Sequence, residues 1–138
     1  MPHVKFDGEL DLSALWREPP ALRLSVPEED LHIKFTESYL STSGHALLLR
    51  YVVAEGRLTQ HVQVILAKTP ADHILKLDRA YPILRTAGVK LLLATLAGRL
   101  EGRGLTVSST NLEAFMQRGR FYAAHGAWEQ AGAGAGSG

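Results

Sequence analysis

From Val4 to Leu12 the apolar residues Val4, Phe6, Leu10 and Leu12 fall on even positions, with Lys5, Asp7, Glu9 and Asp11 on odd ones. This period of two predicts a half-buried strand. After the Pro19-Pro20 break, Leu22, Leu24 and Val26 alternate with Arg23 and Ser25, and Pro27-Glu28-Glu29-Asp30 makes a turn. A third strand follows, in which Leu31, Ile33, Phe35 and Tyr39 alternate with His32, Lys34, Thr36 and Ser38 as far as the polar turn Ser41-Thr42-Ser43-Gly44. His45 to Ala54 is apolar on both parities except for Arg50, as expected of a central strand. Beyond Glu55-Gly56, Leu58, Val62, Val64 and Leu66 alternate with Arg57, Thr59, His61 and Gln63, which makes the fourth and fifth strands an antiparallel hairpin. The first half of the chain therefore reads as a five-stranded meander.

At Thr69-Pro70-Ala71-Asp72 the pattern changes to that of a helix start, with Thr69 as cap, Pro70 in the first turn and Asp72 facing free backbone N–H groups. A short helix is expected to Tyr81, interrupted by Pro82, and a longer one from there to Glu101. The longer helix is apolar nearly all round: Leu84, Ala87, Leu91 and Ala94 lie on one side, Val89, Leu93, Leu96 and Leu100 on another. Such a helix is buried or shared with a partner. Gly102-Arg103-Gly104 stops it, Leu105 to Ser108 has the pattern of a short extra strand, and Thr110-Asn111-Leu112-Glu113 reads as a capping box opening a last helix. The expected fold is α+β, a roughly five-stranded antiparallel meander with about three C-terminal helices on one face. The domain is expected over residues 1–122 and an Ala/Gly-rich disordered tail over 123–138, because that stretch has too little side chain to offset the entropy of ordering.

The chain has 138 residues, no cysteine, 46% hydrophobic residues and a formal net charge of +1. One core can form at this length without disulfides or metal. Absence of cysteine removes thiolate nucleophiles, thiolate zinc sites and iron–sulfur clusters and suits a reducing compartment, so the expected location is the cytoplasm. No charged leader followed by an apolar run is present at the start, and the most apolar stretch, Ala87 to Leu100, carries Lys90 and Arg99 and is too short to span a bilayer. No membrane association is expected. Arginine outnumbers lysine by 10 to 5, and with abundant Ala, Leu and Gly this hints at a high-GC bacterial genome.

Common catalytic and cofactor patterns are missing: no phosphate loop, no Gly-x-Gly-x-x-Gly, no Gly-x-Ser-x-Gly elbow and no His-Glu-x-x-His occur. The glycines at 98, 102 and 104 follow a helix, whereas an amide cradle for phosphate sits before one, so they read as a helix stop. Among six histidines none forms an i, i+3 or i, i+4 pair, and neither metal nor cofactor is expected. His32 and His61 fall in the polar register of the third and fifth strands, which gathers His32, Arg50, His61 and Gln63 as candidate ligand-binding groups, either on a solvated sheet face or in a pocket between sheet and helices. Trp128 is a lone indole in the Ala/Gly tail, either incidentally exposed or docked on a groove.

Charge is uneven, with 4 basic and 8 acidic side chains over residues 1–37 against 8 basic and 3 acidic over 73–120. One meaning is a basic strip for nucleic acid, built from Arg99, Arg103, Arg118 and Arg120 with Phe121 and Tyr122 to stack on bases. Phe6, Phe35 and Tyr39, however, occupy the apolar register, which leaves the polar sheet face without stacking residues. The other meanings are self-association or internal balance. The sequence therefore points to a non-enzymatic binding or interaction module that forms a homodimer, with a nucleic-acid accessory protein and a small ligand-binding protein or enzyme as the alternatives.

Overall fold

Most alternating positions of the first half of the chain become strands in a computed structural model that describes residues 1–128. The strands are β1 (His3–Asp7), β2 (Leu22–Val26), β3 (Leu31–Leu40), β4 (Ala46–Glu55), β5 (Leu58–Lys68), β6 (His73–Leu77), β7 (Thr106–Thr110) and β8 (Ala127–Trp128). They form one antiparallel sheet in the order β7-β1-β6-β5-β4-β3-β2-β8. The class is α+β as expected, but the sheet has eight strands rather than five. Among the described residues there are three α-helices, α1 (Leu12–Arg17), α2 (Ala87–Glu101) and α3 (Glu113–His125), and only two of them come from the C-terminal half.

Three local competitions account for the differences. Gly8 adopts φ +120°, a conformation open to glycine and costly for other residues, and ends β1. Leu10 and Leu12 continue the even apolar parity, yet Asp11 accepts a hydrogen bond from the Ala14 N–H at 3.0 Å and starts α1 there instead. The predicted helix over 70–81 does not form. Its cap residues make a hairpin turn, in which the Asp72 N–H donates to Thr69 Oγ1 at 3.0 Å and the Thr69 N–H donates to the Asp72 carbonyl at 3.0 Å. His73, Leu75 and Leu77 then point inward from β6, with Ile74 and Lys76 outward. The capping box at 110–113 is also used otherwise, since Thr110 Oγ1 donates to the His3 carbonyl at 2.7 Å and Asn111 Oδ1 accepts from the His3 N–H at 2.9 Å, binding β7 to β1.

The core lies between the sheet and the helices. Phe6, Leu24, Ile33, Leu49, Tyr51, Val64 and Leu75 project from successive strands onto it. α1 packs on β3 and β4, α2 reaches β1, β4, β6 and β7, and α3 lies along α2. The all-round apolar character of α2 thereby finds its cause: one side covers the sheet and the other is covered by α3, so ten of its residues are buried, including Leu91, Leu92, Leu93 and Leu96. At about 1.5–3 kcal/mol per buried leucine side chain, this is a strong driving force for stacking both neighbours on one helix. The close approach depends on Gly119, where a Cβ would lie 2.6 Å from the Ala94 carbonyl oxygen.

The elements continue past Tyr122. α3 runs to His125, and Ala127 and Trp128 pair with Arg23 and Leu22 as the edge strand β8. The Trp128 indole N–H donates to the Ala123 carbonyl at 3.1 Å, so this indole is docked on its own domain. The remainder of the expected tail, 129–138, lies outside the described residues. Among the described residues no helix is long and apolar enough to cross a membrane.

Candidate functional site

All three helices share one face of the sheet, and the opposite face is open. Registers define rows of side chains across it. The central row runs Tyr39–Leu48–Ile65–Lys76–His3 over β3, β4, β5, β6 and β1. On one side lies Ala46–Ala67–Ile74–Lys5, and on the other Glu37–Arg50–Gln63. Beyond these, Arg23–Lys34–Val52–His61 and Ser25–His32–Ala54–Thr59 complete the surface. Its middle is apolar and half-buried, and most of the charge toward its margins is positive.

Tyr39 reaches this face through a bulge between Phe35 and Glu37 that shifts the register of β3 by one residue. Strict alternation puts Tyr39 on the core side and Ser38 outside, and the structure reverses both: Tyr39 is 48% exposed, and Ser38 lies level with buried Leu49. The reading that the open face carries no aromatic residue is thereby corrected. Tyr39 is held in place, since its hydroxyl donates to Glu37 Oε2 at 2.5 Å and Arg50 Nη1 donates to Glu37 Oε1 at 2.7 Å. These two bonds, the tyrosine first and the arginine second, hold the Glu37 carboxyl below its ordinary pKa, so it is an anion at neutral pH. The Arg50 guanidinium also lies 5.7 Å from the centre of the Tyr81 ring.

The four candidate residues of the polar register all lie on the open face, where Arg50 and Gln63 are cross-strand neighbours and His61 and His32 stand in the next two rows. Arg50 is bound to Glu37, and Gln63 Nε2 donates to Asp78 Oδ2 at 2.5 Å. His32 is level with Ala54 and Thr59 whereas His61 is level with Val52 and Lys34, so β4 separates the two rings. His32 Nδ1 instead lies 3.0 Å from Ser25 Oγ. This face is turned away from the helices, so these side chains do not line a space between sheet and helices. Among the described residues no group of three or more His, Asp or Glu side chains could hold a metal ion.

The basic strip divides into pairs. Arg118 makes a bidentate contact with Glu29, from the acidic turn before β3, and Arg120 makes one with Glu101 at 2.9 and 3.2 Å. Part of the charge asymmetry along the sequence is thus internal balance across the fold. Arg99 lies over the Trp128 ring, 4.6 Å from its centre, and Arg103 Nη2 donates to the Glu18 carbonyl at 3.0 Å. Phe121 is exposed beside the half-buried Tyr122, the two rings meeting edge to face at 5.6 Å.

Sequence reasoning missed Tyr39, Leu48, Ile65 and Lys76 as a unit. Leu48 and Ile65 are apolar positions in strands where apolar residues are also core residues, and only the register separates the two sets. Comparison of the chain with family models, with curated proteins and with solved structures gives no match.

Proposed function

We propose that this chain is a non-enzymatic binding module that pairs with a second copy of itself through the open face of its sheet. One observation carries the reading, the cross-strand row Tyr39–Leu48–Ile65–Lys76. In a two-fold dimer the same patch serves both subunits, and with the axis parallel to the strands one end of a row meets the other end of its copy. Reversed about its midpoint, this row sets Leu48 against Ile65 and Tyr39 against Lys76. Apolar contact at the centre is then flanked by a ring and an ammonium on each side, a favourable cation–π pairing. The three long strands β3, β4 and β5, spaced by about 4.8 Å with about ten residues rising 3.4 Å each, present roughly 14 by 34 Å, and the five residues of β6 extend it at one end. A stable interface buries about 800 Å² per partner, so the flanking strands belong to the contact as well.

Size exclusion with light scattering tests this. The wild-type chain is expected at twice its monomer mass on the order of 100 μM, a concentration at which even weak specific pairs associate. Leu48→Glu buries an unpaired charge at the centre and is expected at monomer mass with an unchanged circular dichroism spectrum. A wild-type monomer, or a dimer that survives both Leu48→Glu and Ile65→Glu, overturns the proposal.

A further inference from the structure

On the helix side, away from the open sheet face, a groove of about 470 Å³ lies between the end of α2 and the last turns of α3. Arg99, Arg103 and Arg120 line it, and Gly98, Gly102 and Ala123 keep its walls low. Arginine side chains repel one another, and three around one concavity call for an explanation. Arg120 is fixed by its two bonds to Glu101. Arg99 has its guanidinium over the Trp128 ring, and its Nε is buried without a hydrogen-bond acceptor among the described residues. Partial desolvation, and after it the neighbouring Arg99 charge, lower the pKa of Arg103 from its ordinary value, while Glu18 acts the other way.

We infer that this groove binds a phosphate monoester as its dianion. The charge favours an anion: three guanidiniums outnumber the two carboxylates that act on them, Glu101 on Arg120 and Glu18 on Arg103, with roughly half a further negative charge from the carbonyl end of α2. Planar guanidinium forks match phosphate oxygens in pairs, and the exposed guanidinium of Arg103 lies at the groove's edge to offer one. The volume exceeds that of a phosphate group, leaving room for the organic part of the ester. Recognition here rests on side chains, so the position of the glycines after a helix, which rules out an amide cradle, does not oppose it.

Phenyl phosphate titrated into the full chain carrying Trp16→Phe tests the inference, because Trp128 is then the sole indole and lies against Arg99. A saturable change in Trp128 fluorescence is expected, weakened about tenfold or more by Arg99→Gln and by Arg103→Gln through loss of a charge-assisted contact. Arg118→Gln, outside the groove, is expected to leave binding unchanged. Affinity is expected to fall as pH drops through about 6, where the monoester loses its second charge. Absence of saturation, a response that sodium chloride reproduces, or binding indifferent to both groove variants overturns the inference. Should Arg99→Gln lose its fold by circular dichroism, Arg103→Gln supplies the decisive variant.

Discussion

Tyr51 offers a test of the core that separates hydrogen bonding from burial. Its ring is 1% exposed, it meets Phe35 edge to face at 5.5 Å, and its hydroxyl donates to the Pro20 carbonyl at 2.7 Å. Tyr51→Phe keeps the packing and removes the bond. The Pro20 carbonyl also accepts from the Leu22 N–H at 2.9 Å and so retains a partner, which sets the cost at about 1–2 kcal/mol rather than the ~3 kcal/mol of an orphaned buried group. In a domain of this size that corresponds to a melting temperature lower by roughly 3–10 °C at neutral pH. Burial pushes the Tyr51 hydroxyl well above the usual tyrosine pKa, and the direction of that shift adds a second signature. Below a pH of about 10, folded and unfolded chains both hold the proton and the stabilisation is complete. Above it the unfolded chain releases the proton and the folded chain does not, so stability falls by about 1.4 kcal/mol per pH unit until the folded pKa is reached. Phenylalanine has no such proton, so the two stability curves, measured by urea denaturation, are expected to meet near a pH of about 11. Curves that coincide at neutral pH, or that stay parallel through the alkaline range, refute this account.

Other perturbations probe the joints of the fold. Gly119→Ala drives a methyl group into the Ala94 backbone and is expected to cost about 1–3 kcal/mol by overpacking, read as a lower urea midpoint; an unchanged midpoint means the α2–α3 contact is looser than described. Glu55 accepts the Thr86 hydroxyl and, at 3.1 Å, the Gly88 N–H, so it anchors the start of α2 from the end of β4. Glu55→Ala is expected to cost about 0.5–2 kcal/mol, and combination with Thr86→Ala to cost less than the sum because both act in one network. Strict additivity in thermal denaturation would count against the shared cap.

Strands β2, β3 and β5 were legible because each repeats the period of two within clear turns, and β4 because a continuous apolar run between two turns reads as a central strand. β6 was not, since His-Ile-Leu-Lys-Leu is too short for periodicity to outweigh the strong helix-start signal at 69–72, and those same polar groups close a hairpin turn equally well. α1 was hidden for the opposite reason: Leu10 and Leu12 extend a strand parity that Gly8 has already broken. Tyr39 was placed on the wrong face because one bulged residue, Thr36, inverts every later side chain of β3. The residue types of the open face were visible, but Leu48 could not be told from core positions in a strand apolar on both parities, and Ile65 is a single large apolar residue in the otherwise polar register of β5.

By itself the sequence determined the α+β class, the central hairpins, the buried helix and the absence of thiol chemistry, all of which depend on local composition and short-range periodicity. Tertiary structure decided which strands became neighbours, that α3 rather than a partner covers α2, that Arg118 meets Glu29 across the fold, and which side chains form the open row and the arginine groove. The physical reason is range. Helix caps and strand parity are set within a few residues, whereas sheet order, bulge position and charge pairing follow from contacts between segments as distant as Arg118 and Glu29, chosen by how the whole chain packs.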